Sequence, residues 1–292
     1  MADTPCQPPD PNPKKPEITP PPGSVDTHAH IYGPFDRFPL AHPRNYTPHP
    51  LGFETYCRVL DALGIDRAVI VQGSANGANH AVTLDAIARS EGRFRGICIV
   101  RPETPMEDID ALADTGICGL RVSATAPGGL RPAHVEPMTA KAKELGWLVE
   151  IHLRNIDELL PLISWIEKAN VPVLIDHLGR PRGGQGVDRD AFQALLAMLR
   201  DTDHVWAKIC SWYRLSDSGP PYEDMRPFVE ALIAARPDRL VWGTNWPHPN
   251  ITIPMPNDGF LLDQLMEWAG DRDLQRMILC DNPTHLYGFD RV

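Results

Sequence analysis

Residues 67–100, RAVIVQGSANGANHAVTLDAIARSEGRFRGICIV, contain the pattern that decides the fold. Two short apolar runs, RAVIVQ (67–72) and RGICIV (95–100), flank NHAVTLDAIARSEG (79–92), which has helical periodicity. Near-continuous apolar strands separated by amphipathic helices are typical of a parallel sheet whose faces are covered by helices. The stretch therefore predicts a strand–helix–strand unit.

The same alternation continues on both sides of this unit. The other apolar runs are SVDTH (24–28), CGLRV (118–122), WLVEIH (147–152), PVLID (172–176), HVWAKIC (204–210) and RLVWG (239–243). The other helical segments are FETYCRVLDALG (53–64), HVEPMTAKAKELG (134–146), IDELLPLISWIEKA (156–169) and AFQALLAMLRD (191–201). Eight strands in about 270 residues predict an α/β fold of the (β/α)8 TIM-barrel type. The alternative, a doubly wound sheet, predicts a Gly-rich turn after the first strand, where the sequence is DTHAHIYG (26–33).

A proline-rich segment precedes the first strand. Nine of the 31 prolines lie before Gly23, and such a segment forms neither a helix interior nor a central strand. We therefore expect residues 1–22 to be an extended arm, either disordered or lying over the surface, and residues 23–292 to be one barrel domain.

Composition excludes several classes of protein. The 28 Lys and Arg against 38 Asp and Glu give a net charge of −10 without a basic run, which argues against a nucleic-acid partner. No apolar stretch is long enough to span a membrane, and the start, MADTPCQPPD, lacks the apolar run of a signal peptide. The six cysteines form no CxxC pair, so we expect reduced thiols in a cytoplasmic protein. The sequence does not define the oligomeric state, and a homo-oligomer is compatible with it.

Polar side chains follow the predicted strands at the end where TIM barrels place their chemistry. In chain order they are Asp26, His28, His30, Gln72, Ser74, Asn76, Arg101, Arg121, His152, Asp176, His177, Arg180, Lys208, Arg214, Asn245, His248 and Asn250. The His28-Ala-His30 spacing puts both imidazoles on one side of a strand, because side chains alternate with period two. His152 and His177 fall at equivalent heights on other strands. Four converging imidazoles are costly to bury without a role, which predicts a functional cluster.

Three of these runs carry a resemblance to a known family. VDTHAHIYGP (25–34), IDHLGRP (175–181) and WGTNWPHPN (242–250), in this order, resemble the amidohydrolase superfamily. Within it they are similar to the branch of 2-pyrone-4,6-dicarboxylate lactonase and related sugar-lactone and muconolactone enzymes. The resemblance runs from about Gly23 to Tyr287.

The resemblance implies roles for individual residues. His28, His30 and His177 are the expected catalytic histidines, which polarise a lactone carbonyl. The residues expected to bind the substrate and its carboxylates are Arg121, Arg180 and Arg214, assisted by Tyr46, Ser74, Asn250 and, at the end of strand 5, His152. A guanidinium suits this role because it can hold a carboxylate through two parallel hydrogen bonds.

The position after strand 8 departs from the family pattern. It normally holds the aspartate that activates water, whereas this chain has Asn245, and an amide cannot take a proton. Asn245 could be an inactivating substitution, or another group could be the base. The related lactone isomerases resemble this chain in having asparagine there, and they need no water. A non-catalytic ligand-binding barrel is a further alternative.

His152 raises the question of a metal ion, because the dicarboxylate lactonase has tyrosine there. In metal-dependent relatives, the positions of His28, His30 and His152 hold one divalent ion such as zinc together with the strand 8 aspartate. Asn245 lacks the charge of that ligand, and Arg121 stands where a two-metal site needs lysine. We therefore expect no cofactor, with one such ion as the alternative.

These expectations combine into one predicted function. It is hydrolysis of a small anionic lactone of dicarboxylate, muconolactone or sugar-acid type, in the breakdown of aromatic compounds or sugar acids. A metal-independent lactone isomerase is the alternative. The loop SATAPGGLRPAH (123–134) matches no known substrate clamp, so the sequence does not specify the lactone.

Overall fold

Eight parallel strands form one sheet in which each strand pairs with the next along the chain. They are β1 (Val25–Ala29), β2 (Arg67–Val71), β3 (Phe94–Cys98), β4 (Ile117–Ser123), β5 (Leu148–His152), β6 (Val173–Ile175), β7 (Val205–Ile209) and β8 (Leu240–Trp242). The structure is a computed structural model and describes residues 4–101, 103–123 and 135–290. The predicted (β/α)8 barrel is confirmed. Most of the loop 123–134 lies outside the described residues.

Residues beyond the end of β8 close the barrel. Ala29 forms a parallel bridge with Trp246, and the Asn245 N–H donates to the His28 carbonyl at 2.7 Å. The His30 N–H in turn donates to the Trp246 carbonyl at 2.8 Å. Closure therefore places the Asn245 backbone directly beside the two histidines of β1.

Gly243 makes this close approach feasible. A Cβ atom at this position would lie 2.5 Å from the Cβ atom of His28 and 2.6 Å from its backbone nitrogen. Any side chain there would therefore separate β8 from β1.

Helices follow the strands and pack their apolar faces against the sheet. They are α1 (Phe53–Leu63), α2 (Ala81–Arg89), α3 (Met106–Asp110), α4 (Val135–Leu145), α5 (Ile163–Ile166), α6 (Asp190–Asp201), α7 (Arg226–Ala235), α8 (Asp258–Ala269), α9 (Arg272–Arg276) and α10 (Asn282–Tyr287). In α6, Phe192, Leu195, Leu196 and Leu199 are buried at the spacing of one helix face. None of the described helices is both long and apolar enough to cross a bilayer.

The predicted helix over residues 156–169 is wrong in its extent. The chain instead forms 3-10 turns over Ile156–Leu162 and only one α-helical turn in α5. Pro161 lies inside this segment and has no backbone N–H to donate, which disfavours a continuous α-helix. The short helix lies between β5 and β6 in the chain, and its last residue, Ile166, is buried.

The described part of the proline-rich arm lies over the surface of the barrel. Thr4–Pro5 pairs in parallel with Tyr46–Thr47 near the carboxyl ends of the strands. Further along, the Asp263 carboxylate on α8 accepts the backbone N–H groups of Glu17 at 3.0 Å and Ile18 at 2.9 Å. Of the two alternatives for the arm, the structure supports the ordered one for residues 4–22. The domain boundary at residue 22 remains a prediction.

An apolar layer inside the barrel supports a polar layer above it. Leu148, Leu174 and Trp206 belong to one buried apolar cluster with residues of the other strands. Two positions further along the same strands stand Glu150, Asp176 and Lys208, all fully buried. Alternation along a strand sends both members of each pair to the same side, so these charges lie inside the barrel beneath its open end.

Candidate active site

A cavity of about 220 Å³ opens at the carboxyl ends of the strands. The residues that line it are His30, Asn45, Tyr46, Ser74, Arg121, Ser123, His152, His177, Arg180, Arg214, Asn245, Pro249 and Asn250. All of the predicted site residues except His28 are among them. Ser123 is a residue that the sequence analysis missed, although it lies two positions after Arg121 on β4 and period two could have found it.

Four imidazoles form a continuous row beside this cavity. Ring centroids are 5.0 Å apart for His30 and His28, 4.8 Å for His28 and His177, and 5.2 Å for His177 and His152. His28 is fully buried beneath the other rings. The structure thus brings together the four histidines that the sequence places on three different strands.

Asp176 orients two of these rings. Its carboxylate oxygens lie 3.2 Å from Nδ1 of His28 and 3.1 Å from Nε2 of His177. The backbone of His177, Leu178 and Arg180 has positive φ, and the Asp176 side chain accepts the His177 N–H at 3.1 Å. This tight turn after β6 directs the His177 ring back toward the carboxylate.

All four imidazoles are neutral near pH 7. Burial and, to a smaller extent, the charge of Arg121 lower the pKa of His30 to about 3. Burial likewise holds the pKa values of His28, His152 and His177 well below the ordinary value for histidine. Because Nδ1 of His30 lies 2.6 Å from the Val71 carbonyl, which can only accept, the proton of the neutral ring is on Nδ1. Nε2 of His30 is therefore left as a proton acceptor.

A buried network of two cations and two carboxylates lies under the imidazoles. Lys208 contacts Glu150 at 2.5 Å, and Arg121 contacts Asp176 at 2.8 Å and Glu150 at 3.2 Å. Burial by itself would raise the pKa of Asp176, but His177, His28 and Lys208 together bring it well below its ordinary value. Asp176 is therefore ionised, and the network fixes the groups that orient the histidines. The sequence analysis missed Glu150.

Two arginines at the cavity have no carboxylate partner among the described residues. Arg180 donates to the Arg154 carbonyl at 3.1 Å and lies 3.5 Å from the His152 ring nitrogen. Arg214 donates to the backbone carbonyls of Pro249 at 2.6 Å and Asn250 at 3.4 Å. These contacts fix both guanidinium groups and leave their charges uncompensated. The cavity therefore favours an anionic ligand.

Tyr46, Ser74 and Asn250 form the outer wall of the cavity. The Tyr46 hydroxyl lies 2.9 Å from that of Tyr32 and accepts a hydrogen bond from Ser74 at 3.3 Å. The Asn250 N–H donates to the Cys6 sulfur at 3.2 Å, which links this wall to the N-terminal arm. Polar groups on this side can contact the part of a ligand that lies away from the histidines.

Asn245 faces the cavity from the turn after β8. Asp26, which lies outside the cavity, holds this turn by accepting hydrogen bonds from the Thr244 N–H at 3.0 Å and the Thr244 hydroxyl at 2.6 Å. The Asn245 amide Nδ2 donates to the Tyr213 hydroxyl at 2.8 Å. Sequence analysis missed Tyr213, because the contact joins residues that follow two different strands.

A metal ion fits these residues poorly. His28, Asp176 and His177 are the described donors that converge, within 4.8 Å of one another, whereas the expected set of His28, His30 and His152 does not. Asp176 already pairs with Arg121, and the Lys208 ammonium lies 3.2 Å from Nδ1 of His28. A divalent cation here would stand beside two buried positive charges, so the donor set does not suit it.

Comparison with known proteins finds a matching family model and relatives whose names refer to lactones. A family model described as amidohydrolase matches residues 25–289. The chain is 37% identical to the 4-sulfomuconolactone hydrolase of Hydrogenophaga intermedia over 92% of this chain and 89% of that protein. It is 29% identical to the D-galactarolactone isomerase of Agrobacterium fabrum over 97% of this chain and 95% of that protein.

A solved structure adds a similarity at the level of the fold. A probable 2-pyrone-4,6-dicarboxylic acid hydrolase of Acinetobacter baumannii, solved with citric acid bound, superposes with a TM-score of 0.79. The two chains are 25% identical, and the match covers 91% of this chain and all of that one.

Proposed function

This chain belongs to the amidohydrolase family, and from that premise we propose that it hydrolyses a small anionic lactone. One observation carries the proposal: a single small cavity combines neutral imidazoles with the uncompensated charges of Arg180 and Arg214. A lactone acid needs both features, a cationic group for its carboxylate and a proton acceptor beside its ester carbonyl. The 4-sulfomuconolactone hydrolase and the probable 2-pyrone-4,6-dicarboxylic acid hydrolase among the similar proteins support this substrate class.

In the proposed reaction, His30 accepts a proton from water through its free Nε2. The water oxygen bonds to the lactone carbonyl carbon, and the ring ester bond then breaks. The proton passes from His30 to the departing alkoxide, so the product is a hydroxy acid. The tautomer of His30 favours this role over the carbonyl-polarising role that the family resemblance implies for it.

We propose that Arg121 donates a hydrogen bond to the carbonyl oxygen and so stabilises the negative charge that develops on it. It lines the cavity, and burial, which alone would lower its pKa, is outweighed by Asp176 and Glu150, so it stays charged. Groups of this kind typically contribute ~10²–10³ in rate. His177 and His28 belong to the same row of imidazoles, and contacts with Asp176 hold their rings in place. The reaction that we propose needs no resident metal ion.

A second candidate, lactone isomerisation, is favoured by Asn245. An isomerase moves the acyl group from one substrate hydroxyl to another, so no water needs activation. The galactarolactone isomerase among the relatives supports this alternative.

A lactone panel tests these proposals. We expect the chain to turn over at least one of 4-sulfomuconolactone, 2-pyrone-4,6-dicarboxylate and D-galactarolactone, with NMR identifying the product. Release of an open-chain acid supports hydrolysis, whereas a new lactone supports isomerisation. Asn245→Asp serves as the comparison, because it restores the usual aspartate. If neither variant turns over any lactone while citrate still binds in calorimetry, the ligand-binding alternative replaces the proposal.

A further inference from the structure

A chain of buried polar groups leads from Asn245 away from the cavity into the protein. The Tyr213 hydroxyl, which accepts from the Asn245 amide, lies 2.7 Å from Nδ1 of His248. Nε2 of His248 lies 3.1 Å from the Asp258 carboxylate. We call Tyr213, His248 and Asp258 the Asp258 relay. Its three members are at most 2% exposed, and none of them lines the cavity.

Three different elements supply the Asp258 relay. Tyr213 lies in the 3-10 turn Trp212–Arg214 after β7, His248 follows β8, and Asp258 is the first residue of α8. Burial of three polar side chains is costly unless each has partners. An apolar set of similar size would fill the same space, so packing alone does not explain this one.

The hydrogen bonds of the relay connect to the NH2 group of the Asn245 amide. Nε2 of His248 and the Asp258 carboxylate form an ion-pair contact at 3.1 Å, which favours a proton on Nε2. If His248 is neutral, its Nδ1 accepts from the Tyr213 O–H, and the Tyr213 oxygen is left to accept from Asn245. If His248 carries a second proton, Nδ1 donates to the Tyr213 oxygen, which has a second lone pair for the Asn245 Nδ2 hydrogen. In the structure Asn245 presents its NH2 group to Tyr213 at 2.8 Å, so its carbonyl oxygen Oδ1 points the other way.

We propose that Tyr213, held by His248 and Asp258, is a positioning residue that turns the Oδ1 atom of Asn245 toward the cavity. This inference rests on the proposed lactone chemistry. Among the described residues, no side chain or backbone group donates to Oδ1. It can therefore accept a hydrogen bond from the attacking hydroxyl, whether water or a substrate alcohol, and aim that oxygen at the carbonyl carbon. Proton transfer then falls to another group, since an amide orients but does not deprotonate.

Charged groups surround Tyr213 and His248 and act on the contact between them. The Arg214 guanidinium lies 5.5 Å from the centre of the Tyr213 ring, and its charge, with that of His248, lowers the pKa of Tyr213 although burial opposes this. Although burial alone would lower the pKa of His248, Tyr213 and Asp258 raise it to about 9. Both effects act across the 2.7 Å contact between the Tyr213 hydroxyl and Nδ1 of His248, which holds Tyr213 in place beside Asn245.

A double-mutant cycle tests the proposal in the full chain. We expect Tyr213→Phe to lower kcat by about 10- to 100-fold with KM within about threefold, because the attacking oxygen is misaligned and not lost. Asn245→Ala should lower kcat by a similar factor. Tyr213→Phe added to Asn245→Ala should then change kcat by less than about twofold. Tyr222→Phe, a neighbouring buried tyrosine, is the matched control and should retain the activity of the parent.

A second loss of the same size in the Asn245→Ala background would overturn the proposal, because Tyr213 would then act independently of Asn245. A measurement independent of turnover is the side-chain amide resonance of Asn245 in nitrogen-15 NMR, assigned by its loss in Asn245→Asp. Tyr213→Phe should shift this resonance and speed its hydrogen exchange at least tenfold, whereas Tyr222→Phe should not. If the parent turns over no lactone, the proposed function fails, and an unchanged resonance in Tyr213→Phe separately refutes the relay.

Discussion

Arg180 holds a positive charge at the cavity that no described carboxylate balances. If it binds a substrate carboxylate, Arg180→Met keeps most of the side-chain volume and removes the paired donors. We expect 2-pyrone-4,6-dicarboxylate binding to weaken by ~2–4 kcal/mol, largely because the carboxylate is left desolvated and unpaired. Binding of the neutral dimethyl ester should change by less than about threefold. Titration calorimetry measures both.

Arg226→Met is the matched control for this substitution, because Arg226 pairs with Glu230 on α7, outside the cavity. It should leave both affinities unchanged. Equal losses for the charged and the neutral ligand in Arg180→Met would show that Arg180 supports the loop and does not bind the anion.

At the residue scale, the sequence predicted what strand periodicity and family motifs determine. Alternation along β1 placed His28 and His30 on one side, and the motifs located Arg180 and Asn245. It did not predict which charges would pair, because Glu150 and Lys208 meet across the barrel from strands that are far apart in sequence. The partnership of Tyr213 with Asn245 was hidden for the same reason.

The closure of the barrel depends on Gly243, and this can be tested at the scale of the strand. Gly243→Ala would place a methyl group 2.5 Å from the Cβ atom of His28, so β8 and β1 must separate. We expect the free energy of unfolding to fall by ~1–3 kcal/mol, as overpacking in a core usually does. Activity should fall as well, because the Asn245 turn moves with β8. Urea unfolding and lactone turnover measure the two effects.

Gly52→Ala is the control for this prediction, because the nearest atom to its added Cβ would be 3.7 Å away. It should change stability by less than about 1 kcal/mol. Unaltered stability and activity in Gly243→Ala would mean that closure does not require the close approach.

At the element scale, periodicity predicted all eight strands, because a buried parallel strand must be apolar along its length. The segment over 156–169 was less predictable, since its apolar pattern suits a helix while Pro161 disfavours one. The arm was predicted as extended from its prolines, but its docking depends on single contacts such as those of Asp263. Proline content carries no information about such contacts.

The buried histidines make the stability of the whole molecule depend on pH. Their folded pKa values are lowered, to about 3 for His30, so the unfolded chain binds more protons below the ordinary histidine value of about 6.5. The free energy of unfolding must then fall as pH falls from 6.5 toward 3. Asp26, whose pKa burial raises to about 6, offsets part of this. We expect a net loss of about 2–4 kcal/mol between pH 6.5 and 5.5 in urea unfolding.

Single substitutions can assign this pH dependence. His152→Gln should reduce the loss by about 1 kcal/mol, because one fewer ring takes up a proton on unfolding. His49→Gln, at an exposed histidine, should leave it unchanged. Equal stability at the two pH values would contradict the neutral, buried state of the histidine row.

The two ends of the described chain lie on opposite faces of the barrel, which matters for attaching the protein to anything else. Thr4–Pro5 pairs beside Tyr46, which lines the cavity. The Asp290 carbonyl accepts a hydrogen bond from Arg67, the first residue of β2, at 2.9 Å on the far side. An affinity tag or solid support joined ahead of Thr4 would therefore stand beside the entrance of this cavity. One joined behind Asp290 would leave that entrance open.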